Sequence, residues 1–147
     1  ADVVSLMCLK VFCRGDLKLF QSLVMPAMRL GSAFQKVNFL RDIKEDIQQL
    51  GRHYFPQVVV SQLDESTKAE LVKDIEKDFE VAYSGIRRLP DDSRLPVMVA
   101  YKYYRSLLHK IKQTPATELM NRRIRISDSR KLGLLITSRV KHILHLI

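Results

Sequence analysis

A chain of 147 residues with 46% hydrophobic side chains has material for one sizeable core and is a single domain's worth of protein. Five glycines, five prolines and no tryptophan, among abundant Leu, Ile, Val, Lys and Arg, favour helices and argue against a sandwich or barrel. The net charge of +9 sits at one end: residues 101–147 hold eleven Lys or Arg against Glu118 and Asp128, while the first hundred residues balance, so the last third either meets an anionic partner or is a solvated basic surface.

Residues 2–13 are almost continuously apolar, broken by Lys10, and read as a helix belonging inside a larger protein. The chain begins without a methionine or a clear cap, so a fragment or processed product is expected. Cys8 and Cys13 are five apart, with no CxxC and no histidine at ligand spacing, which argues against structural zinc. Both are expected to be small buried apolar residues. Arg14-Gly15-Asp16 reads as a stop, a turn and an N-cap, not as an adhesion triplet.

A helical pattern then runs from Leu17 to about Leu50. Pro26 should kink or split it. Leu30-Gly31-Ser32-Ala33 is a patch of small residues where a second helix or a long apolar ligand can approach the backbone. Asn38, Asp42 and Asp46 follow at i, i+4 and i+8, which puts three hard oxygen ligands on one helix face, a turn apart. Val37, Phe39, Leu40, Ile43 and Ile47 cover the other sides, so Asp42 and Asp46 should face a cavity. Such a ladder, with arginines beside it, suits Mg²⁺ held together with a phosphate-bearing substrate. It is equally the pattern of a solvated helix face.

Gly51 closes the helix, and residues 53–62 read as a loop despite Val58-Val59-Val60. Asp64 or Ser66 caps a helix over about 65–88 with Leu71, Ile75, Phe79, Ala82 and Tyr83 inward. Asp74 and Asp78 share that helix with Lys73 and Lys77, which makes their face look solvated. Residues 89–93 form a turn. The next helix covers 94–112, with Met98, Ala100, Tyr101, Tyr104, Leu107, Leu108 and Ile111 inward, and Thr114-Pro115 ends it. A short segment (116–121) leads to an extended stretch at 123–126. Ser127 or Asp128 caps a last helix over about 129–145, with Leu132, Leu135, Ile136, Val140, Ile143 and Leu144 as its apolar positions. The four histidines (53, 109, 142, 145) do not cluster. No apolar run approaches the ~18 residues of a membrane span.

The run Gln35-x-x-Asn38-x-x-Arg41-Asp42-x-x-Glu45-Asp46, followed by Gly51-Arg52-x-Tyr54-x-Pro56, resembles the second aspartate-rich motif of the squalene/phytoene synthase family. The likeness covers most of the chain. Val3-Val4-Ser5-Leu6-Met7 resembles the small-residue helix before that motif, with Ser5 where the family usually has glycine. Ala100-x-x-x-Tyr104-Arg105-x-x-Leu108-x-x-Ile111 resembles its late helix, whose tyrosine faces the active site. Arg123-Ile-Arg-Ile-Ser127-x-x-x-Lys131 resembles its basic C-terminal segment.

The resemblance implies an all-α isoprenoid synthase fold, of which this chain is the C-terminal part, incomplete at the N-terminus and without the family's first aspartate-rich motif. It implies head-to-head condensation of two prenyl diphosphates, farnesyl or geranylgeranyl, through a cyclopropylcarbinyl diphosphate to squalene, dehydrosqualene or phytoene. The cofactor implied is Mg²⁺, with NADPH only for a squalene-forming enzyme. Asn38, Asp42 and Asp46 would hold the metal. Gln35 and Tyr104 would line the reacting pocket. Arg41, Arg52, Arg123 and Lys131 would contact diphosphate. Nucleic acid is not an expected partner. A cytoplasmic protein is expected, and an apolar product together with the basic C-terminus would suit peripheral membrane contact. Missing one of two metal-binding walls, the 147 residues are not expected to turn over substrate alone. Two other readings compete: a non-enzymatic basic helical module for anionic membrane or nucleic acid, which leaves the Asn38–Asp46 ladder unexplained, and a terpene cyclase, which the Arg-Asp-x-x-Glu-Asp context opposes.

Overall fold

The computed structural model describes residues 1–50, 63–121, 123–127, 133 and 136–138, with side chains described as far as residue 43 in the first span. Among the described residues the helices with defined bounds are α1 (Asp2–Phe12), α2 (Leu17–Leu50), α3 (Glu65–Ile86), α4 (Asp91–Gln113) and the single turn α5 (Ala116–Leu119). Among the described residues there is no strand, so the architecture is all-α. The 34-residue α2 is the axis of the molecule, and α1, α3, α4 and α5 all pack on it.

Local chemistry explains the boundaries. Arg14 and Gly15 both take positive φ between α1 and α2, and Asp16 then accepts a 2.9 Å hydrogen bond from the Leu19 amide. Asp64 caps α3 by accepting from the Thr67 amide at 2.7 Å. The α4 helix starts at Asp91, earlier than the pattern suggests. Pro90 holds an extended N-cap conformation, and Asp91 and Asp92 complement the positive end of the helix dipole. Residues 91–93 are therefore helix, not turn. Part of 116–121 likewise forms α5.

Pro26 neither splits nor ends α2. A proline at 26 leaves the Ser22 carbonyl without its i+4 donor. Arg88, just past α3, reaches that carbonyl with Nη1 at 3.5 Å and the Ser22 hydroxyl with Nη2 at 2.7 Å. The helices meet closely there: a Cβ on Gly85 would lie 2.3 Å from the Cβ of Pro26. A second close approach joins α1 to α2, where a Cβ on Gly31 would lie 2.0 Å from Ser5 Oγ. The small-residue patch is thus a helix crossing.

Two apolar clusters result. The larger joins the second half of α2 (Ala33, Val37, Phe39, Leu40, Ile43) to α3, the end of α4, α5 and Ile124 and Ile126 beyond it. The smaller joins Leu9 of α1 and Cys13, just past its end, to Leu23 and Leu89. Lys68, itself buried, ties α3 to the end of α4, donating to the Thr114 carbonyl at 2.7 Å and pairing with Glu65 at 2.5 Å. Glu65 in turn accepts from the Ala116 amide at 2.5 Å.

Several side chains depart from the pattern-based expectation. Cys13 is buried, which pushes its thiol pKa up, with Asp16 adding to the shift, but Cys8 is exposed. The α1 helix is not enclosed here: Val3, Val4, Met7 and Val11 are exposed. Tyr83 and Ile136 are exposed as well, because the inward faces run through Phe79 and Ala82 in α3 and through buried Ser138 near the end. The largest departure is Asp78, which is 3% exposed and not solvated. It accepts from Arg29 Nη1 at 3.1 Å, Ser32 Oγ at 2.9 Å and Lys36 Nζ at 2.8 Å, all on α2. Burial lowers the Lys36 pKa, but hydrogen bonds to Asp74 and Asp78 outweigh it and the net shift is upward. The expectations for residues 51–62, for Arg52, Lys131, His53, His142 and His145, and for most of the last helix lie outside the described residues; Gly133 and residues 136–138 are helical. No helix among the described residues is long and apolar enough to cross a membrane.

Candidate active site

Helix α2 presents Gln35, Asn38 and Asp42 along one face, because its other faces are taken up by the core residues Val37, Phe39, Leu40 and Ile43 and by the Arg29–Ser32–Lys36 attachment to Asp78. Gln35, Asn38 and Asp42, with Ala1, Val4, Ser5, Gly31, Phe34 and Phe39, line a cavity of about 440 Å³. A second cavity of about 400 Å³ is almost purely apolar and runs between α1, α2, α3 and α4 past Phe12, Leu30, Ile86 and Val97. The two share Val4, Ser5, Gly31 and Phe34, so a polar mouth adjoins an apolar channel.

At the mouth, Asn38 donates from Nδ2 to the Tyr104 hydroxyl at 3.1 Å. Its Oδ1 is buried and has no hydrogen-bond partner. A buried carbonyl-type oxygen left unpaired is costly, which marks it as a place for a ligand's positive charge or donor. Tyr104 comes from α4 and stacks on Phe34 with ring centroids 4.0 Å apart. It therefore fixes Asn38 from behind, and Phe34 forms the adjacent cavity wall.

Asp42 is encircled by arginine. Arg41 donates from Nε to both carboxylate oxygens at 3.0 Å and from Nη2 to Oδ2 at 2.5 Å. Arg123 Nε lies 2.7 Å from Oδ1. The hydrogen bonds to Asp42 raise the Arg41 pKa further above an already high value, against the opposing effect of burial. Arg123 is delivered by residues 123–127, where Ile124 and Ile126 point into the core and Arg123 and Arg125 point out. Lys110 holds that segment by donating to the Arg125 carbonyl at 2.6 Å.

The structure thus brings together Gln35, Asn38, Arg41, Asp42, Tyr104 and Arg123, residues 85 positions apart in the chain for Asn38 and Arg123. Asp46 has its backbone in α2 one turn beyond Asp42, and its side chain lies outside the described set. Among the described residues no three His, Cys, Asp or Glu side chains gather closely enough to hold a metal. Sequence reasoning did not find Phe34, which lines both cavities; its signal was only its place four residues before Asn38 on the same helix.

The chain is similar in sequence to several phytoene synthases. The 15-cis-phytoene synthase of Synechococcus elongatus is 34% identical over 102 residues, covering 59% of this chain and 33% of that protein. Phytoene synthase 1, chloroplastic, of Solanum lycopersicum is 32% identical over 127 residues, covering 76% and 30%. The 15-cis-phytoene synthase of Synechocystis sp. is 31% identical over 122 residues, covering 72% and 35%. The chain spans about a third of the length of these relatives. No solved structure gives a significant match. The squalene/phytoene synthase family model matches residues 1–130, and the chain belongs to that family.

Proposed function

We propose that these residues form the diphosphate-binding wall of a head-to-head prenyltransferase that joins two prenyl diphosphates through a cyclopropylcarbinyl diphosphate. The names of the relatives favour phytoene as the product, and with it geranylgeranyl diphosphate as the substrate. NADPH enters only if the product is squalene. The observation that carries the reading is the buried, unpartnered Oδ1 of Asn38, beside Asp42 at the mouth of an apolar channel. Asn38, Asp42 and Asp46 are the hard oxygen donors that suit Mg²⁺, and they would hold it; the ion supplies charge stabilisation to a departing diphosphate.

The chain's own residues contribute the rest. Arg41 and Arg123 sit where the leaving group gains negative charge and can accept it as hydrogen-bond donors in fixed positions. Tyr104 holds Asn38 so that its oxygen faces away from the hydroxyl. The apolar channel excludes water from an allylic cation that water would otherwise capture. Gln35 lines the mouth, and Arg52 and Lys131 are assigned to diphosphate on the motif alone. We place the chain at the C-terminal side of the family's domain, in the cytoplasm, with its basic last third at the membrane surface. The 147 residues carry one aspartate-rich ladder and are not expected to form product alone.

Binding, not turnover, is therefore the test. A non-reactive thio-diphosphate analogue of geranylgeranyl diphosphate should bind the chain only with Mg²⁺ present, and Asp42→Ala and Asp46→Ala should each weaken it at least about tenfold. Equal binding by both variants would sink the metal assignment and leave a basic surface as the whole explanation.

A further inference from the structure

Phe34 lines the polar mouth and the apolar channel alike. Ser5 and Gly31, which also line both, meet each other at the crossing of α1 and α2. Phe34 instead reaches the Asn38 cluster. Its ring lies face to face with that of Tyr104, with centroids 4.0 Å apart and planes 18° from parallel. The Tyr104 hydroxyl accepts from Asn38 Nδ2 at 3.1 Å, and the buried Oδ1 at the other end of the same amide has no hydrogen-bond partner. Contacts therefore run unbroken from the wall of the apolar channel to that oxygen.

The geometry makes Phe34 the variable link. Phe34 and Asn38 are one turn apart on α2, and Tyr104 comes from α4. Fully buried Phe79 of α3 stands beside Phe34, with centroids 6.2 Å apart. Tyr104 also meets Tyr103 in a T-shaped contact at 5.4 Å, so Phe34 covers one face of a ring whose tilt decides where the hydroxyl points. A hydrogen bond weakens steeply as it is bent, so a tilt of Tyr104 loosens the Asn38 amide. Phe34 itself is only partly buried, and its ring keeps freedom that a chain packed against it removes.

We propose that Phe34 is a positioning residue that couples the channel to the mouth: an apolar chain in the channel seats it on Tyr104, which steadies the hydroxyl holding Asn38 and tightens a cation at Asn38 Oδ1. This rests on the reading of Asn38 as a metal ligand and goes beyond it, because part of the cation's affinity is set by what fills a neighbouring apolar cavity. The coupling is reciprocal, so the cation tightens the chain by the same factor. Such a site answers to an apolar chain and an anionic head joined in one molecule better than to either part alone.

The probes are Mn²⁺, followed by the loss of its free-ion electron paramagnetic resonance signal; inorganic phosphate at one fixed concentration, with its own Mn²⁺ complexation subtracted by a protein-free titration; and geraniol, a neutral isoprenoid alcohol. In the wild-type chain geraniol should tighten Mn²⁺ binding by about fivefold. F34L stays apolar and loses the stack. It should weaken Mn²⁺ binding by about threefold or more, and its gain from geraniol should fall within about twofold. F34Y keeps the ring and should stay within about twofold of wild type in both respects. In a Y104F background, F34L should change Mn²⁺ affinity by less than about twofold, since the hydroxyl through which Phe34 acts is gone. A purely structural role for Phe34 would show no such dependence on Tyr104. Far-ultraviolet circular dichroism verifies that the variants keep their helices. If the losses of F34L and Y104F multiply in the double variant, Phe34 does not act through Tyr104 and the proposal is wrong. If geraniol tightens Mn²⁺ equally in wild type and F34L, or in neither, the coupling is wrong, and abolition of binding by D42N shows that the metal site nevertheless stands. If D42N binds Mn²⁺ as well as wild type does, or the wild-type chain binds none, the metal reading and this inference fall together.

Discussion

Replacing Asp78 by asparagine is the sharpest test of how α2 is held. The substitution keeps the shape and removes the charge. In the structure Asp78 is 3% exposed and accepts from three α2 side chains, Arg29, Ser32 and Lys36. Hydrogen bonds to charged groups are worth roughly 1.5–3 kcal/mol each when buried. The partners are not equally buried: the Arg29 side chain is 48% exposed and Lys36 22%, so water takes over part of what is lost. A loss of about 2 kcal/mol is the expected total, which for a chain of this size lowers Tm by about 4–8 °C. Urea unfolding followed by circular dichroism reads it directly. A solvated Asp78 would instead give a change within about 0.5 kcal/mol, and that result would refute the burial argument. A cycle with K36M isolates the ion pair, and the double variant should lose about 1 kcal/mol less than the sum of the single losses. The Lys36 contribution also carries a pH signature. Its folded pKa lies above the ordinary 10.5, so its stabilisation is complete below 10.5 and fades as pH rises through the higher folded value. The difference between wild type and K36M should be flat from neutral pH to that point and shrink beyond it.

The glycine crossings and the tyrosine behind the site give further outcomes. G85A sets a Cβ 2.3 Å from the rigid ring of Pro26, so despite about 1 kcal/mol of better helix propensity it should destabilise by about 1–2 kcal/mol in urea unfolding. G31A meets the rotatable hydroxyl of Ser5 at 2.0 Å but also its Cβ at 3.2 Å and the Ala1 carbonyl at 3.4 Å, and should destabilise by less than G85A in the same assay. Y104F removes the acceptor that fixes Asn38, and Mn²⁺ affinity measured with phosphate should fall about tenfold while Tm moves by only a few degrees.

Local signals carried much of the fold. Asp16 and Asp64 each cap a helix as their side chains allow, and Pro115 follows the end of α4 where the backbone turns extended. The alternation at 123–126 reappears in the structure as alternating burial, with Ile124 and Ile126 buried and Arg123 and Arg125 exposed. What stayed hidden depended on distant residues. Asp78 is buried because Arg29, Ser32 and Lys36 meet it from 42 to 49 positions away, and Lys73 and Lys77 beside it suggested the opposite. Gly85 looked ordinary in a helix until Pro26 came against it. Cys8 and Cys13 share an apolar run, yet only Cys13 faces the cluster formed with Leu23 and Leu89. In the site, the spacing of Asn38 and Asp42 was visible at once. That Arg123 would close on Asp42 was not, since it needs α5 and the Lys110 contact to bring residues 123–127 across to α2.

These observations converge on the rotation of one helix. On α2, Arg29, Ser32 and Lys36 are bound to α3 through Asp78, while Gly31, Gln35, Asn38 and Asp42 look into the mouth of the cavity. Residues at i and i+4 share a face, so turning α2 by one residue, about 100°, would carry Asn38 and Asp42 out of the mouth together. Three contacts to a single buried carboxylate, together with the Ser5–Gly31 and Pro26–Gly85 crossings, permit one rotation and no neighbouring one. The polar ladder is therefore held in register by groups on another face that never touch it. A charge pair that contributes little net stability can still earn its place by fixing that register, as buried ion pairs do in some helical proteins. D78N should accordingly weaken Mn²⁺ binding at Asp42 beyond what its loss of stability explains, measured at a temperature where both proteins are folded. Unchanged Mn²⁺ affinity in folded D78N would show that the apolar core alone sets the rotation of α2.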